Sequence, residues 1–198
     1  LGRAVSGGAS GVFVATGRNW SATSRTMAPA LDALVRSGAE ADPFPGHDDY
    51  RPDEHTASIA LEYFRTMKPA FLHVGLGDTD EWAHRGDYRA YLTALHHADS
   101  LIGDLADTLD TMGDAGRRTT IIVTTDHGRN SDFQGHGALR MESGRTFMLL
   151  FGERVATHGV GCPRRDITLA DIAPTIRTLM GLPRDHREGA GNPIDEIR

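Results

Sequence analysis

Thr119-Thr120-Ile121-Ile122-Val123-Thr124-Thr125-Asp126-His127-Gly128 is a run of β-branched residues that ends in a carboxylate, an imidazole and a glycine. Side chains branched at Cβ favour a pleated strand, and a short apolar run bounded by turn residues reads as a buried one. The run therefore delivers Asp126 and His127 to a strand's carboxyl end. Open α/β sheets bind ligands outside those ends, where the chain leaves the sheet and side chains converge without filling the core. A second such place lies upstream, where Ala70-Phe71-Leu72-His73-Val74-Gly75-Leu76-Gly77 runs into Asp78-Thr79-Asp80-Glu81-Trp82-Ala83-His84. His136 stands between Gly135 and Gly137 shortly after the first pair. Two strand ends and one loop thus offer carboxylates and imidazoles in the pattern a hydrolytic metal site uses.

Outward from these segments, strands and helices alternate. Residues 1–11 are glycine-rich and read as a flexible lead-in. Val12-Phe13-Val14-Ala15-Thr16 is a short buried strand. Residues 24–37 carry Met27, Ala30, Leu31, Leu34 and Val35 at helical spacing, with Gly38 as the stop. Two prolines and a glycine make residues 42–49 a loop with room for substrate contacts, flanked by His47 and His55. Asp53 or Thr56 caps a helix that turns Ile59, Ala60, Tyr63, Phe64 and Met67 inward before Pro69 ends it. The longest helix covers residues 87–112, with Tyr91, Leu95, Ala98, Leu101, Ile102, Leu105 and Leu109 on one face and Gly113 and Gly116 at its end. A strand over residues 146–151 follows, then a last helix that begins at Thr168 or Asp171 and closes at Gly181 and Pro183. This alternation argues for a parallel α/β sheet covered on both faces. No repeat and no internal division is visible, so residues 1–198 read as a single domain.

Composition agrees with a globular chain. Its hydrophobic content is 39%, with 24% charged residues. A formal charge of -6 with scattered arginines argues against a nucleic-acid surface. No stretch is long and apolar enough to span a membrane. Cys162 is the single cysteine, which excludes an internal disulfide and leaves the compartment open: cytoplasmic, or periplasmic or secreted where an upstream signal has been lost. The chain does not begin with Met, so it reads as processed or N-terminally incomplete. Lys68 is the single lysine among 21 basic residues, as a GC-rich bacterial genome would produce.

Asp80 and His84 are four residues apart, so on a helical turn both project from one face and reach one ion. Asp78 is the alternative carboxylate, with poorer parity to His84. Adjacent Asp126 and His127 point to two neighbouring ions, or to one ion and its surroundings. The glycines beside His136 let its imidazole approach a crowded site. Asp78 and Asp80 as mere helix caps, and His136 as an exposed loop residue, are the plainer readings; the recurrence of the pattern at two strand ends outweighs them. The other histidines read as bland: His73 in the strand core, His96 and His97 mid-helix, His158 and His186 in polar loops. Cys162 has no activating neighbour, and no serine or threonine stands in a context that marks a nucleophile.

In order along the chain, Gly77-Asp78-Thr79-Asp80-Glu81-Trp82-Ala83-His84, Thr124-Thr125-Asp126-His127-Gly128, Gly135-His136-Gly137 and Asp171-Ile172-Ala173-Pro174-Thr175-Ile176 resemble the alkaline phosphatase superfamily, its type I phosphodiesterase, nucleotide pyrophosphatase and sulfatase-like branch above all. The resemblance implies a three-layer αβα sandwich with a largely parallel central sheet. It also implies two divalent metal ions, zinc as the usual ion and manganese as the alternative. Asp80, His84 and His136 would hold one, and Asp126 and His127 would contribute to the second; Asp171 would begin a structural helix. The family's first strand, with its metal-ligand Asp and the hydroxyl nucleophile after it, matches nothing here, so the nucleophile is expected upstream of this chain.

These features predict a metal-dependent hydrolase of phosphoric esters, a phosphatase or phosphodiesterase acting on a small-molecule ester. A sulfatase acting on a sulfate ester and a phosphomutase of the same superfamily are alternatives, although no segment reads as the cap domain a mutase would add. A non-catalytic metal-binding α/β domain lacking the nucleophile is the reading of a different class.

Overall fold

The computed structural model describes residues 12–15, 29–40, 52–137, 139–156, 159–160, 163, 165–184, 186–195 and 197. The predicted lead-in, the loop over residues 42–49, His47, His158 and Cys162 lie outside them. The chain forms two compact units, Leu1–Thr108 with Asp132–Gly135 and Leu109–Ser131 with His136–Arg198.

In the first unit, β1 (Val12–Ala15) pairs in parallel with β2 (Phe71–Val74), Val12 facing Phe71 and Ala15 facing Val74. Parallel neighbours need a crossover, here supplied by α1 (Pro29–Glu40) and α2 (Asp53–Met67). Leu31 of α1 and Ile59 and Tyr63 of α2 are buried together, with Leu34, Val35, Met67 and Leu72 packed around them. Each such aliphatic side chain contributes about 1.5–3 kcal/mol when removed from water. α1 runs through Gly38, the expected stop, which is buried inside the helix. Pro52, not Asp53, occupies the N-cap of α2, and at the other end Lys68 adopts a left-handed φ of 44° and donates its N–H to Phe64 O before Pro69.

Leu72 turns toward this core, and alternation along a strand then sends its neighbour His73 the other way. His73 is exposed, which corrects the expectation of a core histidine. After β2 come α3 (Asp78–His84) and α4 (Tyr88–Thr111), the latter in this unit as far as Thr108. Asp87 caps α4 by accepting from Ala90 N at 2.9 Å. Ala94, Leu101 and Thr108, seven apart, are its buried stripe, whereas Leu95 lies open. Phe133 sits edge-on to Tyr88 and Tyr91 at 5.3 and 5.1 Å between ring centroids.

In the second unit, α5 (Asp114–Arg117) leads to β3 (Ile121–Thr124), which pairs with β4 (Met148–Phe151). The pairing is antiparallel, Ile121 facing Phe151 and Thr124 facing Met148. The expectation is a largely parallel sheet; of the two strand pairs among the described residues, this one runs antiparallel. Among its described residues, the intervening segment holds loops and a 3₁₀ turn, Met141–Gly144, and no α-helix to carry the chain back to the start of a parallel strand. A 3₁₀ turn, Leu169–Asp171, opens α6 (Ile172–Leu179) through a capping box of Thr168 and Asp171. The fold class is α/β. Among the described residues, no helix is long and apolar enough to cross a membrane.

Candidate metal centre

The segment after β2 folds as the i,i+4 spacing requires. Asp80 N and Glu81 N both donate to Gly77 O, winding α3 immediately after the strand. Its turn brings His84 Nε2 to 3.3 Å from Asp80 Oδ2, both side chains partly open to solvent. Two ligands at about 2.0–2.1 Å from a tetrahedral ion stand roughly 3.3–3.4 Å apart. The observed spacing therefore admits one ion between this carboxylate and imidazole.

Asp78 is used differently. Its Oδ1 accepts from Asp53 N at 3.2 Å, while the buried Asp53 carboxylate accepts from Gly77 N at 2.8 Å and Asp78 N at 3.1 Å. Each aspartate thus serves the other's helix N-terminus, where backbone N–H groups lack intrahelical partners. This exchange gives Asp78 a holding role and Asp80 the outward one.

In the second unit the chain bends at Asp126 as it leaves β3. The bend lets neighbouring side chains approach: Asp126 Oδ2 lies 3.5 Å from His127 Nε2, and Asp126 Oδ1 accepts from His127 N. Asp126 is 87% exposed at its side chain and His127 only 24%. His127 Nδ1 lies 3.0 Å from Gly128 O. A carbonyl only accepts, so Nδ1 carries the proton in this bond and Nε2 of the neutral ring is left as the donor atom for an ion. His136 stacks on His127, with ring centroids 3.7 Å apart and planes within 16°. A nitrogen of each ring lies within 4.8 Å of one on the other. Motif resemblance divides these two imidazoles between two ions; in the structure they are immediate neighbours.

The donor chemistry fits the implied metal. Carboxylate oxygen and imidazole nitrogen are the ligands that zinc and manganese accept, and the fixed tautomer of His127 is the arrangement common to metal-bound imidazoles. His96, His97 and His186 are exposed, and His55 is half-buried in the first turn of α2 beside Glu54. A cavity of about 560 Å³ in the first unit reaches Trp82 on α3. Its charged lining is mostly carboxylate, Glu54, Asp78 and Asp87 against Arg89, which opposes a phosphate ester. Sequence reasoning did not find Ser143, a buried residue whose contacts reach the backbone beside both imidazoles; no local pattern marks it.

Comparison with known proteins supplies the family. The sequence pattern of the Metalloenzyme superfamily matches residues 46–184, which include every candidate ligand. The chain belongs to this superfamily. It is the alkaline phosphatase-like group that the four ordered motifs resemble, and membership implies divalent metal. Among curated proteins, the chain is 32% identical over 145 residues to a 2,3-bisphosphoglycerate-independent phosphoglycerate mutase of Haloarcula marismortui, covering 71% of this chain and 26% of that protein. To the mutase of the same name from Cyanothece sp. it is 29% identical over 170 residues, 75% of this chain and 31% of the relative. The Nostoc punctiforme mutase is 26% identical over 190 residues, 85% and 35% of the two chains. The chain thus spans about a quarter to a third of the length of these relatives. No solved structure matches it significantly.

Proposed function

We propose that this chain is the ligand-bearing part of a metal-dependent phosphoryl-transfer enzyme of the phosphomutase kind. The observation that carries the reading is the approach of a carboxylate oxygen to an imidazole nitrogen at 3.3 Å in one unit and 3.5 Å in the other, in a member of a metalloenzyme superfamily whose curated relatives are phosphoglycerate mutases. Asp80 and His84 in the first unit and Asp126, His127 and His136 in the second are the ligands, for two ions of zinc or manganese. When bound, such ions polarise phosphoryl oxygens and stabilise the oxygen that leaves. The protein's own part is to hold donors in place: α3 sets Asp80 against His84, and the Gly128 carbonyl orients His127. The substrate is a small phosphate ester, and the acceptor of the phosphoryl group is a substrate hydroxyl rather than water. Relatives support this transfer over the hydrolysis of phosphate or sulfate esters that the motifs alone suggest. The same reading takes the chain as one three-layer αβα domain.

Two measurements test it. Metal analysis after dialysis should find zinc or manganese on the wild type and less on His84→Ala and on His136→Ala; equal, near-zero metal in all three overturns the metal reading. Phosphorus NMR of 3-phosphoglycerate should show the phosphoryl group moving to the neighbouring oxygen when the metal-loaded chain is joined to the strand and hydroxyl nucleophile that the motifs call for, and little transfer by the 198 residues alone. Release of inorganic phosphate instead would make it a hydrolase.

A further inference from the structure

His127 and His136 lie in neither a helix nor a strand, yet their rings stack at 3.7 Å. Loop backbones hold such a geometry only when something ties them. Ser143, 8% exposed in the 3₁₀ turn Met141–Gly144, is placed to do so. Its carbonyl accepts from Gly128 N at 2.8 Å, and its hydroxyl accepts from Gly137 N at 2.9 Å. Gly128 and Gly137 are the residues directly after the two imidazoles. The hydroxyl proton goes to Asn130 Oδ1 at 3.1 Å, fixing the rotor so that a lone pair faces Gly137 N. Gly128 lies so close to the Glu142 and Arg145 carbonyls that a Cβ there would collide with backbone, so the strand end is pressed onto this turn.

We propose that Ser143 is the positioning residue of the imidazole pair, holding the backbone beside His127 with its carbonyl and that beside His136 with its hydroxyl. This rests on the reading of the pair as metal ligands. Ser143 is not placed to act as a nucleophile: its side chain is buried and its hydroxyl both donates and accepts. Removing that hydroxyl leaves Gly137 N and Asn130 Oδ1 without this partner and frees the His136 backbone, while the Gly128 bond, made by backbone alone, survives. Partners behind metal ligands typically change affinity by about 10–100-fold when removed.

The test uses the 198-residue chain as wild type, Ser143→Ala and Ser143→Thr, with zinc alone as the probe. Zinc affinity is measured by competition with a chelating dye. Imidazole proton shifts are measured by NMR on the metal-free chains, where stacked rings shift each other's resonances. Ser143→Ala should weaken zinc about tenfold or more and move both imidazoles toward unstacked shifts, with helical circular dichroism unchanged; Ser143→Thr should restore both. Wild-type affinity and shifts in Ser143→Ala overturn the proposal. So does a loss of zinc that merely follows a loss of helix, or one that threonine fails to rescue in a folded chain. A wild type that binds no zinc would overturn the metal reading instead, and the role of Ser143 would then be decided by the ring shifts.

Discussion

Asp171 is buried and hydrogen-bonded on both carboxylate oxygens, although it binds no metal in this reading. Burial pushes its carboxyl pKa up, but hydrogen bonds from Arg165, Thr168 N and Asn192 N, with the guanidinium charge, outweigh that and hold it at about 2 instead of 3.8. A pKa depressed on folding stabilises the folded chain above the unfolded value, and the contribution is lost as pH falls through 3.8 toward 2. The shift corresponds to on the order of 2 kcal/mol. Denaturant midpoints of wild type and Asp171→Asn should therefore differ by a constant amount above about pH 5 and converge below pH 4; a gap that persists to pH 2 would show that the carboxylate charge is not what Arg165 stabilises. The sequence disclosed Asp171 as a helix start because the capping box is local. Arg165 and Asn192 were not legible, since their contacts depend on how distant loops return to the helix. His73 was misread for a related reason: alternation along a strand is visible in sequence, but which face meets the core is not.

At the scale of elements, the Asp53–Asp78 exchange joins the N-terminus of α2 to that of α3, and α3 carries Asp80 and His84. Asp53→Ala removes the acceptor from Gly77 N and Asp78 N. Leaving a fully buried donor unpaired costs about 1–3 kcal/mol, and these two are half-buried, so the variant should lose roughly 1–3 kcal/mol in urea unfolding. Asp53→Asn, which keeps one acceptor oxygen, should lose less. Equal stability of Asp53→Ala and wild type would mean that water replaces the carboxylate at no cost. α2, α3 and most of α4 were legible because their apolar faces, prolines and glycines are local signals, and the Asp80–His84 pair followed from helical spacing alone. The sense of β4 was not, because strand direction is set by the connection, and residues 125–147 carry no apolar periodicity that reveals whether they cross over or fold back. The grip of Ser143 on two glycines belongs to that same connection.

For the whole molecule, two compact units each bring carboxylate and imidazole together, so metal binding should register in both. An ion that binds only the folded form stabilises it by about 2.7 kcal/mol when present at 100 times its dissociation constant. In a chain of this size that is roughly 5–10 °C in Tm. Two units need not unfold as one, and a single midpoint is then undefined, so each needs its own reporter. Trp82 on α3 reports the first by fluorescence once Trp20 is replaced by Phe, and amide exchange of Ile121–Thr124 and Met148–Phe151 reports the second. Zinc should raise the Trp82 transition and slow exchange in the β3–β4 pair. His84→Ala should diminish the fluorescence shift, because it removes one of the two donors on α3, and His136→Ala should diminish the protection of β3–β4. If zinc moves neither reporter in the wild type, the donors are surface ion pairs at a ligand-like spacing, and the metal reading of both units fails together.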